Sequence, residues 1–347
     1  MIDVAFRAKR PMNYEMFRPY HERLRADPRF DVTLYGKAHG KSDLKVLDAA
    51  LPARRRPNWM CKLTRPDVLF STDFLLATQA RHAIQIFHGI SVKGFFLNER
   101  IHDYDHVFTL GPYMARRYVE KGFFEQGDPR LVPVGFAKTD RLTNGTLDAA
   151  ATRANIGLDP VLPTVVYAPS WGAESSLDKM GEDILRALHG WPGNVIVKLH
   201  DNAFDPRYAR ADWRGLLDQL AGPRFAAPRM WDVIPLLHAA DVLITDISSV
   251  GFEFLQLDRP IVFMTFEGQM VRWEGVCDLE TWGRKIGVCV DSAAALPAAL
   301  DRELGDPNHM QPIRKAACAD IYYNVGTATD AGMAALYKIL GMEPLRV

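Results

Sequence analysis

"DVLITDISSVGFEF", residues 241–254, is the stretch on which the rest of the chain turns. Val242 to Thr245 is a short apolar, mostly β-branched run, the composition of a strand buried on both faces. Asp246, Ser248 and Ser249 interrupt it. An apolar pattern then resumes with Val250, Phe254 and Leu257 at i, i+4 and i+7, the spacing of one helix face. A strand therefore hands over to a helix through Asp-x-Ser-Ser. Ser248 or Ser249 falls at the N-cap, where its hydroxyl accepts from an orphan backbone N–H. The other free N–H groups and the positive end of the helix dipole then point out of the carboxyl end of a sheet, a setting suited to phosphate or diphosphate. Gly251 allows close backbone approach, and Glu253, on a different face, is within reach of a ribose hydroxyl. Serine and aspartate also cap helices that bind nothing, so the stretch alone speaks more clearly of fold than of function.

The same strand-then-helix grammar runs in both directions from there. Upstream lie "IDVAFRA" (2–8), a helix in "YEMFRPYHERLRAD" (14–27), "FDVTLYG" (30–36), "PDVLFST" (66–72), "AIQIFHG" (83–89), "DHVFTLG" (105–111), the helix "PYMARRYVEKG" (112–122) and "RLVPVG" (130–135). Residues 137–163 are rich in Thr, Asn, Asp, Gly and Pro and read as a linker region. The rhythm restarts with "TVVYAPS" (164–170), helices near 177–189 and 212–220, "NVIVKLH" (194–200) and "PIVFM" (260–264). Helices near 292–303, 309–321 and 328–340 close the chain. Short buried strands alternating with helices imply parallel sheets covered on both faces. The expectation is an α/β protein of GT-B architecture: two doubly wound, Rossmann-like domains facing across a cleft. Their expected bounds are 1–145, binding acceptor, and 146–347, binding a nucleotide donor, with the last helix free to pack back on the first domain.

Bulk properties agree with two such domains. The chain has 347 residues, against roughly 150 for an ordinary domain. Lys+Arg and Asp+Glu stand at 42 each, so no net field draws in nucleic acid, and any anion site must be local. The four cysteines form no C-x-x-C pair, and no apolar run approaches the 18 or so residues of a spanning helix. The N-terminus reads as a strand and not a signal peptide. A reduced, cytoplasmic protein is expected, with contact to the inner face of a membrane left open. Oligomeric state has no signal.

Further constellations sit at strand ends. "IQIFHGISVKG" places His88 after a buried strand, followed by Gly89 and then Lys93. A histidine on that rim, with an ordinary pKa near 6.5, can take a proton from an attacking alcohol, though one bonded to a carbonyl is purely structural. "NVIVKLHDNAFD" repeats the arrangement with Lys198 and His200. "VVYAPSWG" ends in Ser170 and Trp171, whose indole fits either a core or a cleft wall. "VPVGFAKTDRL" offers Gly135, Lys138 and Asp140, where a cation can meet phosphate. His102 and His106 in "HDYDH" lack the H-E-x-x-H pattern and read as a solvated turn, so no metal is expected. "ARRRP" (Arg54 to Arg56) reads as an exposed loop, equally suited to anionic lipid head groups.

In combination, "FHGISVKG", "VVYAPSW", "VIVKLH" and above all "DVLITDISSVGFEFLQLDRPIVF" resemble the CDP-glycerol:glycerophosphotransferase family, the teichoic-acid primases and polymerases. The resemblance runs in family order from about residue 80 to 330. It implies a GT-B fold and transfer of a glycerol or ribitol phosphate from a CDP-linked donor to an acceptor hydroxyl in cell-wall or capsule-type polymer synthesis, releasing CMP. The donor would be a substrate, with no cofactor needed. By position, His88 would activate the acceptor and His200 would contact donor phosphates. Ser248, Ser249, Lys198, Ser170, Asp246 and Glu253 would line the donor side, and Lys93, Gly89 and Lys138 would contact acceptor or phosphate. A lipid-linked acceptor would be met through surface such as "VKGFFLNER" (92–100).

The pattern also departs from the family. Ile247 stands where the family has Tyr, Gly172 where it has Arg, Ala137-Lys138 where it has Pro-Arg, and Ala331 where it has a C-terminal Arg. A bidentate phosphate arginine is not lost without changing what is held. A GT-B glycosyltransferase or epimerase using a nucleotide sugar, and a non-catalytic relative, therefore stay as alternatives.

Overall fold

A computed structural model describes residues 1–8, 11–36, 54–72, 74, 79–89, 94, 96–269 and 282–345. Among them, β1 (Ile2–Ala8), β2 (Phe30–Gly36), β3 (Arg54–Pro57), β4 (Val68–Thr72), β5 (His82–Ile86), β6 (His106–Thr109) and β7 (Leu131–Pro133) form a sheet ordered β3-β2-β1-β4-β5-β6-β7. A second sheet takes β8 (Thr164–Tyr167), β9 (Asn194–Val197), β10 (Phe225–Ala226), β11 (Val242–Thr245), β12 (Ile261–Met264) and β13 (Val288–Val290) in the order β10-β9-β8-β11-β12-β13. The named strands pair in parallel throughout.

Parallel strands covered on both faces must be apolar on both faces, and these are. Val4, Ala5, Phe6, Val165, Val166, Leu243 and Ile244 have no exposed surface. In the first sheet, Phe6 stacks on Phe70 from the neighbouring strand with centroids 4.9 Å apart. In the second, Ile184, Leu185 and Leu188 of the helix Ser176–Gly190 complete a core around Val165, Val195 and Ile244.

Each sheet reverses its winding once. β1 lies between β2 and β4, and β8 lies between β9 and β11. At such a switch point the chains leaving adjacent strands diverge and open a crevice beyond the carboxyl ends. In the second sheet, Ser170 follows β8 and Asp246 to Ser249 follow β11, so both stretches border that crevice.

The chain divides into two compact units. One is Met1–Ile90, Phe95–Asp140 and Ala319–Val347; the other is Ser91–Gly94 and Arg141–Cys318. The expected bounds are 1–145 and 146–347, with the last helix free to pack back on the first domain; Ala319–Val347 falls in the first compact unit. Specific polar contacts hold the C-terminal stretch within the first unit. Arg116 donates to both carboxylate oxygens of Asp320 at 2.9 and 2.8 Å. Asp140 accepts from the amides of Ala328 and Thr329 and from the Thr329 hydroxyl at 2.9, 2.7 and 2.6 Å, capping the helix Ala328–Leu340. Gly135, at φ +100°, is required here: a Cβ would lie 2.3 Å from the carbonyl oxygen of Tyr323.

Three expectations change. Arg54 to Arg56 belong to β3 and not to a loop, because an edge strand pairs on one side only and tolerates charge. The stretch 137–163 contains a 3₁₀ turn, Ala137–Leu142, and a helix, Ala149–Asn155, whose first turn is capped by Asp148. The helix expected from Ser248 runs only over Val250–Leu255 and is buried all round, so it has no single apolar face.

Candidate functional site

Asp246 is fixed first, because it leaves β11 with nowhere to reach water. It is 2% exposed, and both its carboxylate oxygens are taken by the protein. Oδ1 accepts from the amides of Ser170 and Ile247 at 2.8 and 2.6 Å; Oδ2 accepts from the amide and hydroxyl of Ser176 at 2.8 and 2.9 Å. Burial pushes this carboxyl above the usual range, against the pull of its hydrogen bonds. Asp246 and the buried Ser170 were expected to meet the donor. Instead Asp246 acts as a clasp, tying the ends of β8 and β11 to the first turn of the helix Ser176–Gly190. No oxygen is left for a ligand.

The clasp sets the course of the next residues. The Ser248 hydroxyl accepts from the amide of Val250 at 3.4 Å, a long bond, and Ser249, at the N-cap position, makes no side-chain cap. The amides of Ser248 and Ser249 donate to no described residue. Ser248 and Gly251 line a small cavity with Ile247, Phe252 and Phe263. A Cβ on Gly251 would meet Phe263 and Thr245 at 3.5 and 3.6 Å, ordinary contact distances. Nothing in the fold therefore demands glycine there, and its effect is to keep the cavity open. Glu253 is 2% exposed and is not among the described residues lining that cavity.

A second cluster stands at the end of β9. His200 Nδ1 accepts from the amide of Asn202 at 3.1 Å, which leaves Nε2 as the nitrogen carrying the proton in the neutral ring. His200 is thereby a donor, as a phosphate oxygen requires. Lys198 Nζ donates to the carbonyl of Leu199 at 2.9 Å and lies 3.8 Å from Asp201. Trp171, 38% exposed, sits with its ring 5.6 Å from His200 and 5.2 Å from Tyr208, so it belongs to this surface cluster and not to a core. Gly172 adopts φ +85°, a left-handed turn that an arginine side chain would strain.

The first unit carries the remaining candidates. His88 is half-buried just past β5, and Gly89 follows at φ +133°, a conformation that only glycine adopts without strain. Lys138 is half-buried in the turn Ala137–Leu142, its ammonium 5.8 Å from the Phe136 ring centre. Lys93 lies outside the described residues. His102 packs beside Phe123 and Phe124, while His106 opens β6 and meets Nδ1 of His82 at 3.4 Å through Nε2. The structure thus gathers Ser170, Asp246 and Ser248 at one point of the second unit and Lys198 and His200 at another. One residue escaped sequence reasoning: Arg284, in the turn Gly283–Ile286, lines the same cavity as Ser248. Its position 36 residues downstream of Ser248, with no motif around it, gave no signal.

Two doubly wound parallel sheets, each with one switch point, define a protein of the GT-B class. The chain belongs to the CDP-Glycerol:Poly(glycerophosphate) glycerophosphotransferase family, whose model matches residues 72–300. No curated protein matches it. Among solved structures, it is similar to the wall teichoic acid polymerase TagF, in a histidine-to-asparagine variant soaked with CDPG, at 15% identity and TM-score 0.69, covering 98% of this chain and 88% of that one. Unsubstituted TagF gives 15% identity and TM-score 0.64, over 98% and 89%. The S. aureus MnaA–UDP structure gives 10% identity and TM-score 0.63, over 100% and 99%. These likenesses carry the fold. Among the described residues, no helix is long and apolar enough to cross a membrane.

Proposed function

We propose that this chain transfers an alditol phosphate, glycerol or ribitol phosphate, from a CDP-linked donor to an acceptor hydroxyl in the synthesis of a cell-wall or capsule-type polymer. The acceptor oxygen attacks the distal phosphorus. A new P–O bond forms, the bridging P–O bond breaks, and CMP leaves with its electron pair. His88 takes the acceptor proton. The corner at Ser248 and Ser249, together with the Nε2–H of His200 and the Lys198 ammonium, offsets charge building on the leaving phosphate. The observation that carries the reading is the corner itself: Asp246 ties the ends of β8 and β11 together, and Ser248, two residues on, lines a cavity in the second unit. Membership of a glycerophosphotransferase family supports it.

The test is release of CMP. Purified protein is incubated with CDP-glycerol or CDP-ribitol and either glycerol phosphate or a lipid-linked acceptor, and CMP is followed by chromatography. Acceptor-dependent CMP supports the proposal. Stabilisation by UDP-sugars alone, with no CMP formed, would turn it toward a nucleotide-sugar enzyme. Binding without turnover of any donor would favour a non-catalytic relative.

A further inference from the structure

Between the turn Ala137–Leu142 and the helix Ala149–Asn155 the chain passes through Asn144-Gly145-Thr146, the one Asn-Gly pair in the sequence. Thr143, Asn144, Gly145 and Thr146 are all exposed. The Asn144 side chain folds back over its own peptide. Its Oδ1 accepts from the Thr146 amide at 3.2 Å and from the Thr146 hydroxyl at 2.7 Å. A backbone N–H can only donate, so it is the oxygen of the side-chain amide that faces Thr146. A side chain bonded to the amide two residues on lies against the peptide between, which brings its carbonyl carbon toward the nitrogen of Gly145. A Cβ on Gly145 would meet nothing within 4 Å, so that nitrogen stands open to reaction.

The two Thr146 donors point at the atom on which negative charge would grow if the Asn144 carbonyl carbon were attacked. That is the arrangement of an oxyanion hole, built here by one residue. The segment on either side is pinned. Leu142 is 2% exposed, and Asp148 caps the helix through the Ala151 amide at 3.0 Å. Arg153 donates to the Ala239 carbonyl at 2.8 Å and to the Asp241 carboxylate at 3.3 and 3.2 Å. The tip can therefore change covalently while its flanks hold.

We infer that Asn144 is a site of spontaneous succinimide formation in the folded protein, with the Thr146 hydroxyl promoting the attack. The Gly145 nitrogen gives its proton to solvent base and bonds to Asn144 Cγ. The Cγ–Nδ2 bond breaks, and Nδ2 leaves as ammonia with a proton from water. A second water then opens the ring. Attack at Cγ leaves aspartate; attack at the main-chain carbonyl leaves isoaspartate, which lengthens the backbone path by a carbon. Either product places a carboxylate on a tip that was neutral.

The full chain is held in mildly alkaline buffer, folded and in concentrated urea, then digested with trypsin, and peptide 142–153 is followed by chromatography and mass. Folded wild type should accumulate aspartate and isoaspartate forms, each with the mass gain of exchanging NH₂ for OH. Thr146→Val should slow this about twofold to tenfold, the worth of a single hydrogen bond, whereas Thr146→Ser should keep the wild-type rate. In urea all three should react alike. Thermal melting checks that the variants remain folded at the incubation temperature. Product formed in urea but not by the folded chain would overturn the inference, since the turn would then protect Asn144. Equal rates for folded wild type and Thr146→Val, or equal slowing by valine and serine, would overturn the part given to the hydroxyl.

Discussion

Asp246 accepts both the amide and the hydroxyl of Ser176 through one carboxylate oxygen, at 2.8 and 2.9 Å. That single oxygen joins the end of β11 to the start of the helix Ser176–Gly190, 70 residues earlier in the chain. Its other oxygen holds the amides of Ser170 and Ile247.

Asp246→Ala should therefore destabilise the second unit strongly. Four donors would be buried without acceptors, a loss of about 3–5 kcal/mol given the cost of orphaning buried polar groups. Asp246→Asn should also destabilise, though less, because its NH₂ would face at least the Ser176 amide N–H. Urea denaturation of both variants checks this. A midpoint for Asp246→Asn close to wild type would show that the clasp is not what holds the corner.

Gly251 gives the opposite separation. Its Cβ position is open at 3.5 Å, so Gly251→Ala should fold, and helix preference should leave it as stable as wild type or more so by about 0.5–1 kcal/mol. A larger side chain, as in Gly251→Leu, should fill the cavity and weaken CDP binding at least tenfold. The pair of melting temperature and titration decides the point: unchanged CDP affinity in Gly251→Leu would mean the ligand lies elsewhere.

The fold was legible because parallel, doubly buried strands leave blocks that periodicity cannot disguise: "IDVAFRA" and "FDVTLYG" coincide with Ile2–Ala8 and Phe30–Gly36. β10 and β13 were missed because two or three residues carry no period, and β3 because three arginines carry no strand signal. At the candidate site, the Asp-x-Ser-Ser handover was visible, but the roles within it were not. Asp246 and Glu253 look like ligand contacts in one dimension; in the fold both are buried, and Asp246 spends its oxygens on protein donors. Arg284 was invisible for the converse reason: only tertiary packing of the turn Gly283–Ile286 brings it to Ser248's cavity.

His88 is the proposed base, and its half-buried position beyond β5 means that its loss should spare the fold. His88→Ala should lower CMP-releasing turnover by about 10²–10⁴, the usual worth of a general base. Its melting temperature should stay within a degree or two of wild type, on the scale of a neutral surface change. Turnover near the wild-type rate in a properly folded His88→Ala would remove this histidine from the mechanism.

The first unit should carry a distinct acid sensitivity through His21. This ring has no exposed surface and packs edge-on against Phe6 at 5.4 Å and Tyr14 at 5.6 Å. Burial, helped by the nearby Arg25 charge, lowers its pKa from 6.5 to about 4. The folded state thus favours the neutral ring, whereas the unfolded chain takes up a proton near the ordinary value. The stabilisation from this group is complete above pH 6.5 and is lost as pH falls from there through about 4. The shift corresponds to roughly 3 kcal/mol at its full extent. Other carboxylates titrate in the same window, so the difference between wild type and His21→Phe isolates the term. Wild-type stability should fall faster than that of His21→Phe between pH 6.5 and 4, measured by urea midpoints at each pH; parallel curves would mean His21 is protonated in place without penalty.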